Sequence, residues 1–122
     1  MVEVYCRNMR PARLLKVISA FARERDWEQF HLPKNLAMAL SVEASEVVEL
    51  FQWLTPAQCE RLSPKQRAAL ADELADVYVY LLKLADRFGV DLDRAAFAKM
   101  RKNARKYPVA KARGTAKKYS EL

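Results

Sequence analysis

The sequence is poor in residues that interrupt helices. Its 122 residues include two glycines and five prolines, and runs of β-branched residues are few. Residues with high helix propensity, such as Ala, Leu, Glu, Lys and Arg, are abundant instead. A chain of this length is most simply one domain that buries roughly two-thirds of its unfolded surface. The composition therefore argues against a sheet-based fold and predicts an all-α domain with short connections.

Cysteine and long apolar runs are also scarce. Cys6 and Cys59 have no neighbouring Cys or His at the spacing of a metal site. The N-terminal residues mix acidic and basic groups before any apolar run develops, which predicts neither a signal peptide nor a membrane span. We therefore expect a soluble, reduced, cytoplasmic protein with no membrane partner.

Basic residues are missing from two apolar segments that carry only acids. Residues 35–54 and residues 68–82 contain no Lys or Arg. Like charges three residues apart on a helix repel each other by a few tenths of a kcal/mol per pair. The acids in the two segments are Glu43, Glu46, Glu49, Asp72, Glu73 and Asp76. An external cation would offset this repulsion, so we expect the two helices to share a cation site.

An E-x-x-E and an E-x-x-D on two adjacent helices could bring four carboxylates together. Mg²⁺ is usually held by a few carboxylates together with substrate phosphates, so this pattern predicts magnesium, with Mn²⁺ as a possible substitute, and phosphate chemistry. The alternative for any single E-x-x-E is a solvated helix face. The doubled motif favours the metal site. A di-iron bundle would need Glu-x-x-His pairs, and the single histidine, His31, lies outside both segments.

Proline and capping residues divide the chain into helices. Thr55 and Ser63 each precede a proline, as N-caps do, while Gly89 suits a left-handed C-terminal cap and Asp91 an N-cap. Pro108 should end the last long helix. The predicted helical segments are 11–25, 33–54, 56–61, 64–88 and 92–106. Helices two and three are apolar around much of their circumference, which predicts burial against a second copy.

Aromatic and basic side chains could surround the acidic site. Tyr80 lies one turn beyond Asp76, and Trp53 lies two turns beyond Glu46 on the same face, so both rings would flank the metal site. Trp27 adds a ring on which a nucleobase could stack, although ordinary core packing is an equal alternative. Lys99 and the amide of Asn103 stand four residues apart and could contact a polyphosphate, whereas a solvated basic face is the simpler reading.

Positive charge is concentrated at the C-terminus. The formal net charge is +7, and residues 99–122 contain nine basic residues and one acid, so this stretch alone has a net charge of +8. Residues 108–122 show little apolar periodicity, which predicts a flexible basic tail after a domain at residues 1–107. A nucleic-acid-binding module is one alternative. Two helices that carry only acids do not suit binding to a phosphate backbone, so we do not expect nucleic acid as a partner. A catalytically inactive structural bundle is another.

Four ordered motifs give the chain a family resemblance. They are F-H-x-P-x-N, E-x-x-E-x-x-E-L-F-Q-W, E-L-A-D-V and K-x-x-x-N-x-x-K-Y-P, spread over residues 26–108. In this set and order the sequence resembles the MazG-like all-α nucleoside triphosphate pyrophosphohydrolases, particularly their dCTP pyrophosphatase branch. The resemblance implies a four-helix-bundle-type fold that assembles as a homodimer or homotetramer.

The resemblance also implies an activity and a set of site residues. The activity is magnesium-dependent cleavage of a nucleoside triphosphate, dCTP or a modified dCTP, to the monophosphate and pyrophosphate. The implied metal ligands are Glu43, Glu46, Glu73 and Asp76, and the implied substrate contacts are His31, Trp27, Trp53, Tyr80, Lys99 and Asn103. We expect either Glu43 or Glu46 to be the general base, and Glu49 and Asp72 to support the ligands without binding the ion.

Overall fold

The structure, a computed structural model, describes residues 11–122, and Cys6 therefore lies outside the described residues. Cys59 is a free, half-buried thiol. The described residues form helices and no strand, which confirms the predicted all-α fold. The helices are α1 (Pro11–Glu24), α2 (Pro33–Glu49), α3 (Pro56–Cys59), α4 (Pro64–Arg87), α5 (Leu92–Lys106) and α6 (Val109–Ala112), followed by a 3₁₀ turn at Tyr119–Glu121.

The helix ends follow the capping signals of the sequence. Thr55 and Ser63 each form a capping box with the glutamine three residues later, and a proline takes the first helical position after each. The Asp91 carboxylate accepts a hydrogen bond from the Arg94 backbone N–H at 3.0 Å. Gly89, with φ of 63°, turns the chain after α4 in the left-handed region that glycine tolerates.

Helix α2 ends earlier than the sequence predicted. The prediction extended it to Leu54, but regular α-helix stops at Glu49. Beyond it the backbone continues as turns with tighter hydrogen bonds, from Phe51 N–H to the Val48 carbonyl and from Leu54 N–H to the Phe51 carbonyl, each 3.0 Å. Apolar residues continue through this segment, so periodicity alone did not show the change. The prediction that α2 extends to Leu54 was wrong, while the place of Trp53 beside the metal site stays a prediction.

The chain divides into two compact units, Met1–Phe88 and Gly89–Leu122. In the first, α2 packs along α4 and α1 contacts α4. Its small buried core contains Ile18, Ala22, Leu36, Leu82 and Ala85. Large apolar side chains of α2, including Met38, Val42 and Val48, are more than half exposed. The outer face of α2 therefore has no cover within the described part of the chain.

The second unit holds α5 and the basic C-terminal residues. The rings of Tyr107 and Tyr119 meet edge to face at 6.0 Å, and the Lys106 ammonium lies 4.8 Å from the centre of the Tyr119 ring. These contacts connect the 3₁₀ turn to the end of α5. The flexibility expected of residues 108–122 stays a prediction. Between Pro11 and Leu122, no helix combines the length and apolar character needed to cross a membrane.

Candidate functional site

The packing of α2 against α4 brings the predicted carboxylates together. One oxygen from each of Glu43, Glu73 and Asp76 can be chosen so that all three lie within 4.8 Å of one another. Glu43 and Glu73 are half-buried, whereas Asp76 is exposed. Three carboxylates at this separation can bind one hard divalent cation. We call these three residues and Glu46 the acidic cluster.

Glu46 lies between the two helices' acids. Its carboxylate is close enough to hydrogen-bond with both Glu43 and Glu73 and to raise the pKa of each. Asp72 also contributes to the raised pKa of Glu73, which places its charge near the cluster. Glu49 is exposed, one turn beyond Glu46. The structure thus brings the four predicted ligands together, while their role as ligands stays a prediction.

Electrostatics in the acidic cluster favour uptake of positive charge. Burial, then a hydrogen bond with Glu46 and repulsion from the other carboxylates, raises the pKa of Glu43 to about 7 from its ordinary value of 4.5. The same causes raise the pKa of Glu73. The Oε2 atoms of Glu43 and Glu73 are shielded from solvent and have no hydrogen-bond partner. Buried acceptors without partners are costly, so this donor set fits a divalent cation.

The raised pKa of Glu43 predicts how the stability of metal-free protein depends on pH. A carboxyl whose pKa is higher in the folded state stabilises the fold below its unfolded pKa, and this contribution is lost as pH rises through the folded pKa. In EDTA, we expect the unfolding temperature of wild type relative to Glu43→Gln to fall by a few degrees between pH 4.5 and 8. Calorimetric scans of both proteins measure this difference. A constant difference over this range would contradict the raised pKa.

A row of aromatic side chains extends from the acidic cluster. Burial, together with the smaller effect of the charges of Glu43 and Asp76, raises the pKa of Tyr80. The Tyr80 ring meets the His31 ring edge to face at 6.4 Å, and His31 meets Trp27 at the same distance. Three predicted substrate contacts thus form a row, and its first member, Tyr80, lies near two of the predicted metal ligands.

The connection between α1 and α2 is held in place by backbone groups and by Asn35. The Asn35 side-chain amide donates to the Phe30 carbonyl at 3.0 Å, and the His31 N–H donates to the Trp27 carbonyl at 3.2 Å. Asn35 is the last residue of the F-H-x-P-x-N motif. Its contact with Phe30 explains the asparagine, because it fixes the loop that positions His31.

The other three predicted substrate contacts are carried by the turns after α2 and by α5. Trp53 lies in the turns after α2 and is 87% exposed. Lys99 and Asn103 lie on α5 in the second unit, four residues apart, with Lys99 exposed and Asn103 half-buried. Their contacts with substrate stay predictions.

A polar cavity that the sequence did not reveal lies beside His31. It has a volume of about 240 Å³ and lies between α1, the connection and the end of α4. Four charged residues lie in its wall, Lys83, Arg87, Glu28 and Asp86. The rest of the lining is formed by Leu15, Ser19, His31 and Leu36. Lys83 is the first basic residue after the acid-only segment of α4, two turns beyond Asp76. That spacing indicated a cation on the side of α4 that carries Asp76, but it did not indicate the cavity.

Comparison with known proteins places this geometry in a family. The family model described as the MazG-like family matches residues 38–122. Proteins named dCTP pyrophosphatase 1 from Rattus norvegicus and Homo sapiens are 53% and 52% identical over 104 residues, which is 84% of this chain. The chain spans 61% of the length of these curated relatives.

A solved structure has a fold similar to that of this chain. The crystal structure of a pyrophosphatase from Archaeoglobus fulgidus has a TM-score of 0.76 with this chain at 35% identity. The match covers 83% of this chain and 94% of that one. The helical arrangement that holds the acidic cluster is therefore shared over most of both chains.

Proposed function

Because the chain belongs to the MazG-like family, we propose that it is a magnesium-dependent nucleoside triphosphate pyrophosphohydrolase. It would cleave the bond between the α- and β-phosphates and release a nucleoside monophosphate and pyrophosphate. The observation that carries this proposal is the acidic cluster, in which Glu43 and Glu73 each have a solvent-shielded oxygen without a partner. The relatives named dCTP pyrophosphatase 1 and the pyrophosphatase from Archaeoglobus fulgidus support the reaction class.

The chemistry follows from what the acidic cluster can hold. A magnesium ion bound there would neutralise charge on the triphosphate and lower the pKa of a bound water. Glu43, Glu73 and Asp76, whose oxygens lie within 4.8 Å of one another, are the proposed ligands, with Glu46 completing the set. Of the two candidate bases, we favour Glu46, because it lies near Glu43 and Glu73 but is not one of the three residues whose oxygens lie within 4.8 Å of one another.

The surroundings of the cluster suggest how the substrate is oriented. Glu46 accepts a proton from the attacking water. The family resemblance alone implies that Lys99 and Asn103 donate hydrogen bonds to the phosphates as the pyrophosphate leaves. Trp27, Tyr80 and His31 form the adjoining aromatic row, which suits a stacked base. We propose dCTP or a modified dCTP as the substrate, from the names of the relatives. The cellular role would be control of the nucleotide pool in the cytoplasm.

A product assay tests the proposed function. Purified protein is incubated with dCTP, 5-methyl-dCTP, dUTP, dATP and dGTP, with and without Mg²⁺, and the products are separated by ion-exchange chromatography. We expect a monophosphate and pyrophosphate in equal amounts, in the presence of Mg²⁺ and fastest with a cytosine nucleotide. Release of inorganic phosphate and a nucleoside diphosphate, or no turnover by folded protein, would contradict the proposal.

We also propose that the protein works as a homodimer or homotetramer. The exposed apolar residues of α2, among them Met38, Val42 and Val48, support association, because burying such side chains is favourable. Light scattering after size-exclusion chromatography should give a mass of two or four times the 14.1 kDa of the chain. Replacing Val42 by Lys should shift the protein toward the monomer. A monomeric wild type would contradict the proposal.

A further inference from the structure

His31, which lines the cavity, has a shielded polar atom without a partner. Among the described residues, three buried side-chain polar atoms have no hydrogen-bond partner: Glu43 Oε2, Glu73 Oε2 and His31 Nδ1. A cation in the acidic cluster would account for the two carboxylate oxygens. His31 lies outside that cluster and lines the cavity instead. Its unpartnered nitrogen indicates that a second polar group is recognised there.

Lys83 is a half-buried cation in the wall of the same cavity. Burial lowers the pKa of its ammonium, although the nearby charges of Glu28 and Asp86 act in the opposite direction. The ion pairs within 4.0 Å in the described part of the chain join Arg23 to Glu28 and Arg25 to Glu24, so Lys83 has no such partner there. A partly desolvated ammonium without a close partner has donors available for a ligand.

The position of Lys83 relative to the acidic cluster fits a nucleotide. Asp76, Tyr80 and Lys83 lie along one side of α4, and seven residues of α-helix place Lys83 about 10 Å beyond Asp76. In a nucleotide, the α-phosphate and the far edge of the base are separated by a similar distance. Tyr80 and His31 lie between the two ends. Phosphates held at the acidic cluster would therefore direct the base toward the cavity.

We propose that the cavity receives the edge of the substrate's base and that Lys83 is a specificity-determining residue. This inference rests on the proposed function. Lys83 donates to a ring nitrogen or carbonyl oxygen of the base, and the Glu28 carboxylate, also in the cavity wall, accepts from an exocyclic amino group. Cytosine and adenine present an amino donor beside a ring-nitrogen acceptor, whereas uracil presents a carbonyl and an N–H at those positions. Lys83 and Glu28 together therefore favour a base that carries an amino group.

The test compares Lys83→Met with wild type on dCTP, dUTP and dATP. Met keeps most of the apolar stem and removes the charge. Because Lys83 contacts the base and not the reacting phosphorus, we expect KM for dCTP to rise about 10- to 100-fold with kcat nearly unchanged. The preference for dCTP over dUTP should largely disappear. Lys65→Met, on the exposed first turn of the same helix, is the matched control and should behave as wild type.

The outcomes separate this inference from the proposed function. A parallel loss on dATP would assign the shared amino-bearing edge, and a loss confined to dCTP would assign cytosine. An unchanged ratio of kcat/KM for dCTP and dUTP, or a loss of kcat alone, would overturn the role of Lys83 while leaving the enzyme assignment intact. Should wild type turn over no nucleotide, the proposed function fails, and titration calorimetry with dCMP decides the inference: equal binding by wild type and Lys83→Met overturns it.

Discussion

Replacing Glu46 with glutamine is expected to reduce turnover of dCTP by at least about 100-fold, the usual contribution of a general base. Glutamine preserves the size of the side chain but can neither accept the proton of the attacking water nor carry the charge that attracts a cation. Glu46 also contacts both Glu43 and Glu73, and both neighbours would lose a repelling charge. Steady-state rates at saturating Mg²⁺ and dCTP measure the effect.

The fold should survive this substitution. Removing one of several mutually repelling carboxylates relieves repulsion, so the metal-free variant should unfold at a temperature equal to or above that of wild type. Glu60→Gln, which changes an exposed acid beyond α3, is the matched control and should keep wild-type activity. A fully active Glu46→Gln would show that the acidic cluster is not the catalytic site.

Removal of divalent metal should both abolish turnover and lower the stability of the fold. In EDTA we expect no measurable turnover, with recovery on addition of Mg²⁺ or Mn²⁺. An ion that binds only the folded state stabilises it by about 2.7 kcal/mol at 100 times its dissociation constant, which raises the unfolding temperature by several degrees. Thermal unfolding measures this shift without substrate. It is recorded first without Mg²⁺ and then at Mg²⁺ concentrations that increase in 10-fold steps.

A double variant identifies where the ion binds. Glu43→Gln combined with Glu73→Gln removes the two carboxylates whose shielded oxygens lack partners. This protein should fold, and its unfolding temperature should no longer respond to Mg²⁺. KCl at matched ionic strength controls for general screening of the charges. A full Mg²⁺ response in the double variant would place the ion elsewhere.

Much of the fold could be predicted because local signals and tertiary structure agree. Pro64 after Ser63, Gly89 and Asp91 marked the ends of long helices, and α5 has the predicted bounds. The end of α2 could not be predicted in this way, since apolar residues continue past Glu49 while the backbone tightens into turns. Helix periodicity reports the face of a side chain only as long as the helix continues.

The acidic cluster was predictable because the sequence shows both the spacing of the acids and the lack of basic residues around them. E-x-x-E and E-x-x-D repeat on two base-free helices, and the packing of α2 on α4 then brings Glu43, Glu73 and Asp76 together. The cavity beside His31 was not predictable, because it depends on how three separate segments pack around Lys83. Spacing within one helix carries no information about such a space.

Hydrolysis of dCTP in water enriched in oxygen-18 shows which phosphorus atom the water attacks. With Mg²⁺ present, mass spectrometry should find one heavy oxygen in dCMP and none in pyrophosphate, because in the proposed reaction water attacks the α-phosphorus. The Glu46→Gln variant should form neither product at a comparable rate. Label in pyrophosphate, or formation of dCDP and inorganic phosphate, would contradict the account.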